Sequence, residues 1–160
     1  MKKFLFYFTV LAFISCNKND DGNSVLESNR KSLVGEWLLV SESAFNSSEK
    51  VVEERDFRAS TECPFDKVSF LDNGDMALTS YTVDDVEKPI CKEIVSDYIG
   101  KWILQKERRL ATNNEGEIIY FTIIELNNSS LILERILTKY EVIVGGYPLD
   151  VTKTRIFYKK

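Results

Sequence analysis

The sequence predicts an all-β protein, an eight-stranded antiparallel up-and-down barrel spanning residues 32–160. Three observations carry that prediction. After Leu33 the chain is a succession of short runs rich in Val, Ile, Tyr, Phe and Thr, divided by turn-forming residues, with no amphipathic helix of ordinary length. Two of the turns, Asp72-Asn73-Gly74 and Asn127-Asn128-Ser129-Ser130, join alternating runs as hairpins. Successive antiparallel strands with short connections would leave two bare edges unless the sheet closes on itself.

Composition sets the outer bounds. A chain of 160 residues, 44% hydrophobic and 29% charged, suits one globular domain and excludes wholesale disorder. There is no histidine, so no Ser-His or Cys-His nucleophile pair and no His-ligated zinc site can be built. A net charge of −4 offers no basic stripe to displace phosphate counterions, which argues against a nucleic-acid partner.

The N-terminus reads as an address. Lys2 and Lys3 precede a nearly all-apolar run at residues 4–14. Eleven helical residues rise only about 16 Å, roughly half a hydrocarbon core, so this is a signal-peptide core and not a membrane span. Phe13-Ile14-Ser15-Cys16 then resembles a bacterial lipoprotein lipobox, with Phe where Leu is usual. The resemblance implies a signal peptide at residues 1–15, cleavage before Cys16, a diacylglycerol thioether on its sulfur and a further acyl chain on its amine. Several acyl chains hold a protein stably, so the mature protein is expected to be membrane-anchored, and the resemblance implies the cell envelope with the anchor in the outer membrane. Residues 17–30 are polar and aperiodic, and the segment 16–31 is read as a flexible tether. Its Asp20-Asp21 pair looks like the acidic surface-export signals of Bacteroidota lipoproteins.

Export leaves Cys63 and Cys91 in an oxidising compartment, where two remaining cysteines most simply pair. Closing the loop between them stabilises the fold by about 3.5 kcal/mol on the chain-entropy account. A redox pair or metal ligands would want a CxxC spacing or a histidine, and neither is present.

Strands are expected at 36–43, 51–57, 67–71, 75–83, 99–106, 117–126, 131–144 and 149–158, with 45–50 a loop and 84–97 a connection able to hold a short helix. The first hairpin is solved by register. A two-residue Asn-Gly turn would split the large apolar side chains between faces. A three-residue loop with a left-handed Gly74 pairs Phe70 with Met76 and Val68 with Leu78, gathering them on one face. The second hairpin, with a four-residue loop, pairs Leu126 with Leu131, Ile124 with Leu133, Thr122 with Arg135 and Tyr120 with Leu137. That face is expected to line the interior. The opposite face (Ile119, Phe121, Ile123, Glu125, Ile132, Glu134, Ile136) is too apolar for bare solvent, so the outer face of 117–137 is expected to be covered by a loop, the tether, a second copy or a partner protein.

Gly35-Glu36-Trp37 resembles the Gly-x-Trp signature that opens the first strand of lipocalins. Cys63, the turn from Phe70 to Gly74, Cys91, Gly100-Lys101-Trp102 and the second hairpin follow in the order seen in lipocalin-like domains of Bacteroidota lipoproteins. The resemblance implies a barrel whose end is closed by Gly35 and Trp37, with Arg155 of the last strand packed over the indole. It also implies burial of a small hydrophobic or amphipathic ligand, or alternatively a filled barrel that meets a protein or glycan through its loops or outer face. Candidate ligand contacts are Phe70, Leu78, Trp102, Tyr120, Thr122 and Arg135, the last because an inward guanidinium wants a partner that a ligand carboxylate could supply. No catalytic constellation, phosphate loop or organised calcium loop stands out, so the reading is a binding protein without enzyme activity, metal or cofactor.

Overall fold

A computed structural model describes residues 21–84, 90–114 and 116–160. The expected signal segment and the lipidation site Cys16 lie outside the described residues. In chain order the elements are α1 (Asp21–Leu33), β1 (Gly35–Asn46), β2 (Val51–Asp56), β3 (Lys67–Phe70), β4 (Asp75–Val83), β5 (Cys91–Lys106), β6 (Arg109–Asn114), β7 (Glu117–Leu126), β8 (Ser130–Ile136), α2 (Lys139–Val144) and β9 (Val151–Lys159).

All the strands belong to one antiparallel sheet, ordered β2-β1-β3-β4-β5-β6-β7-β8-β9 and closed by pairing of β1 with β9. β3 pairs with residues 35–38 of β1, and β2 with residues 41–45 of the same strand. The two together fill one position, so the ring is the expected closed eight-position antiparallel barrel. The Phe70–Met76 and Val68–Leu78 pairs form as expected, with Gly74 at φ 86°. Cys63 and Cys91 are disulfide-bonded.

Four expectations about the elements need correction. The supposed tether is helical from Asp21 onward. Leu26, Arg30 and Leu33 recur on one face of α1 and seal an end of the barrel, a stripe with too few apolar residues to register as amphipathic in sequence. Described residues of the 84–97 connection from Cys91 onward are strand, because β5 runs back along β4 as far as the Val83–Cys91 pair. β6 was hidden in the polar string Arg109–Asn114, where only Leu110 and Ala111 are buried. Finally, the run 131–144 is a strand followed by a helix. A capping box stops β8 and starts α2: Thr138 accepts from the Glu141 amide, and the Glu141 carboxylate accepts from the Thr138 amide.

One end of the barrel is packed shut. Trp37 is fully buried and donates its Nε1–H to the Leu33 carbonyl at 2.7 Å, tying β1 to the end of α1. Phe70 meets Trp102 edge to face at 5.7 Å, and Trp102 donates to the Leu71 carbonyl at 2.9 Å. Above them Leu104, Leu110, Ile123, Leu131, Leu133 and Tyr158 fill the closed half. α1 adds Arg30, over the Trp102 ring at 5.1 Å and hydrogen-bonded to the Asp72 carbonyl.

The expected Arg155–Trp37 contact does not form. Register sets Arg155 opposite Ser43, well along β1 from Trp37, and its guanidinium lies 4.6 Å from the Phe45 ring centroid. The cation over Trp37 is Lys160, at 4.5 Å, which also donates to the Ser32 carbonyl. Gly35, at φ 127°, opens β1 opposite Phe70 and has the Lys160 side chain beside it.

Candidate functional site

The wall between β7 and β8 carries the site. Leu126–Leu131 and Glu125–Ile132 pair as the four-residue loop requires, but a bulge at Ile124 then places Ile123 opposite Leu133 and Thr122 opposite Glu134. One extra residue reverses every side chain beyond it. Phe121 and Ile123 therefore turn inward, with Phe121 opposite Leu110 and Ile123 3% exposed, while Tyr120, Thr122 and Ile124 turn outward. This corrects the expected faces of the hairpin. It also removes much of the apolar burden from the outer face, where Ile118, Tyr120, Ile124 and Ile136 remain exposed.

The β7–β8 ladder ends at Thr122–Glu134. Beyond that pair, residues 117–121 and the end of β8 diverge around a cleft of about 590 Å³. Under α2 lies a chamber of about 400 Å³ bounded by Glu42, Tyr147, Thr154 and Ile156. Cleft and chamber share Glu117, Phe121, Arg135 and Glu141, so they adjoin across these side chains.

Of the six candidate contacts, the fold brings three together: Tyr120, Thr122 and Arg135 all line the cleft. The other three lie elsewhere. Phe70 and Trp102 are locked in the closed end, and Leu78 sits opposite Val68 beside them. Sequence reading did not find Phe121, Glu42, Glu141 or Tyr147. The last three depend on α2 folding back over the barrel, for which the Thr138–Glu141 capping pattern was the available signal.

Two polar pairs line the chamber. Arg135 is ion-paired with Glu141, which joins β8 to α2. Buried Glu42 accepts from the Tyr147 hydroxyl at 2.6 Å. Burial, and then that bond to Glu42, push the Tyr147 hydroxyl up to about 12. The ring is also covered by Arg55, 3.8 Å from its centroid. The result is a mixed lining: apolar rings beside a few oriented polar atoms, which suits retention of an amphipathic molecule. No group of three or more His, Cys, Asp or Glu side chains that could hold a metal occurs among the described residues.

On the outer wall, Glu134 accepts from Lys153 at 3.0 Å and from Arg155 at 2.8 Å. Burial alone would raise its carboxyl; the two cations outweigh that and hold it below the usual carboxylate range. Its stabilising contribution is complete above the unfolded value and is lost as pH falls through the lower folded one. A Glu134→Gln variant should therefore lose less of its urea midpoint than the native chain between about pH 7 and about pH 3. Equal losses would contradict the assignment.

The profile of the family described as "Lipocalin-like domain" matches residues 33–133. No curated protein matches the chain. Among solved structures, a deswapped triple mutant of bovine odorant binding protein is 17% identical, with 81% of this chain and 74% of that one covered and a TM-score of 0.40. Lobster apocrustacyanin A1 is 13% identical over 88% of this chain and 68% of its own, with a TM-score of 0.44.

Proposed function

The chain belongs to the lipocalin-like domain family, and on that premise we propose that it is a lipid-anchored protein of the bacterial cell envelope that binds a small hydrophobic or amphipathic molecule. The observation that carries the binding reading is the adjoining cleft and chamber on either side of Phe121, in a barrel whose other half is solidly packed. The closed end gives the domain its stability and leaves the α2 end free to hold a ligand. The anchoring reading rests on Cys16 and the apolar run before it.

Native mass spectrometry of the protein, extracted from its own membranes in mild detergent, tests the binding reading. A bound small molecule is the expected result. A clean apo mass would overturn it in favour of the second reading, an interaction module acting through its outer face. The exposed Ile103, Ile118 and Ile136 favour that alternative. Fractionation tests the anchor: the native chain should stay with membranes, and Cys16→Ser should release it.

A further inference from the structure

Resting on the cleft as the binding site, we propose that the ligand is an anionic single-chain amphiphile lying in the open seam of the barrel wall, its headgroup on Lys106, Arg108 and Arg109 and its chain over Phe121 into the chamber beneath α2. Charge accounting points there. The chain has seven arginines, and Arg30, Arg55, Arg58, Arg135 and Arg155 each pair with a carboxylate. Arg108 and Arg109 pair with none among the described residues, and both line the cleft, as does Lys106, which is also without a carboxylate partner there.

The geometry gives this cluster a direction. Arg109 lies opposite Thr122 on β6 and is held against the Tyr120 ring, 4.5 Å from its centroid, so its charge is fixed at one end of the cleft. Glu117 lies five residues back along β7 from Thr122, about 17 Å away. Glu134, opposite the same Thr122, also lines the cleft but is neutralised by Lys153 and Arg155, so an anionic headgroup is attracted at the Arg109 end and repelled at the Glu117 end. Between them the lining is Ile119 and Phe121, which accept methylene groups. Arg135 adds no free charge, because Glu141 already occupies it. Guanidinium groups bind carboxylate and phosphate in the same forked manner, so either headgroup satisfies the cluster.

Isothermal titration of the full-length protein with dodecanoate, dodecyl phosphate and dodecanol, each below its micellar concentration, tests the proposal. At least one of the anionic ligands should bind about tenfold or more tighter than dodecanol, and added salt should erode the difference. Arg108→Gln with Arg109→Gln should abolish the preference while dodecanol affinity is unchanged. Lys92→Glu, an exposed charge change where β5 runs along β4 opposite Thr82, should leave it intact. The urea midpoint of each variant confirms that it folds. Equal affinity for all three probes, a preference surviving the double substitution, or one lost equally in Lys92→Glu would overturn the anionic assignment and leave the binding reading standing. Failure of all three probes to bind would remove both.

Discussion

Alanine at Gly100 is expected to destabilise the barrel by about 4 kcal/mol, combining backbone strain with a forced overlap in the sheet. Gly100 sits in β5 at φ 152°, where L side chains are rare. An added Cβ would lie 2.2 Å from the Asn113 carbonyl oxygen and 3.0 Å from its carbon. Both are backbone atoms of β6, the adjacent strand, in which Asn113 is the cross-strand partner of Lys101. They cannot yield without breaking the ladder. The position exists because β5 carries two extra residues between its Leu78–Ser96 and Met76–Gly100 pairs with β4, and the strand must straighten immediately afterwards. Gly74→Ala is the internal control. Its φ of 86° is equally left-handed, but its nearest contact, the Trp102 carbonyl, is at an ordinary 3.4 Å. It should cost only about 1 kcal/mol. Urea denaturation of the two variants measures the difference; equal costs would show that β6 moves aside.

Replacing Trp37 with alanine should cost a similar amount, about 4 kcal/mol, through a cavity in the closed end. The indole is fully buried, carries Lys160 on one face and ties its Nε1–H to Leu33. Alanine would leave the Leu33 carbonyl without this donor where β1 meets α1. With a typical urea dependence near 2 kcal/mol per molar, the midpoint should fall by about 2 M. Trp37→Phe should recover most of the packing and forfeit roughly 1 kcal/mol for the hydrogen bond. Ligand affinity should be little changed at denaturant-free conditions, because Trp37 lies in the packed half, away from the cleft. A Trp37→Ala protein with unaltered stability but lost binding would reverse the assignment of the two ends.

Legibility divided along the range of the interactions involved. The Phe70–Met76 register could be solved from residues alone because a left-handed Gly74 and four large apolar side chains admit one face-consistent pairing. The Cys63–Cys91 bond likewise needed only cysteine arithmetic. The other hairpin resisted, because Ile118-Ile119-Tyr120-Phe121-Thr122-Ile123-Ile124 is apolar on both faces and alternation cannot choose between them. Leu110, on a strand too polar to recognise, makes that choice by receiving Phe121.

The amino-acid order alone therefore determined most of the chain's strand-forming periods and its tight turns, since these follow from sterics and hydrophobicity acting within a few residues, and the run of short connections between them predicted the antiparallel barrel. Only the closed tertiary structure decided that Arg135 meets Glu141, that a helix seals one end, and that the wall parts beside Phe121. Those outcomes hang on a single bulge at Ile124 and on helices docking across the ring. Their free energy lies in contacts between segments far apart in the chain, which no local pattern records.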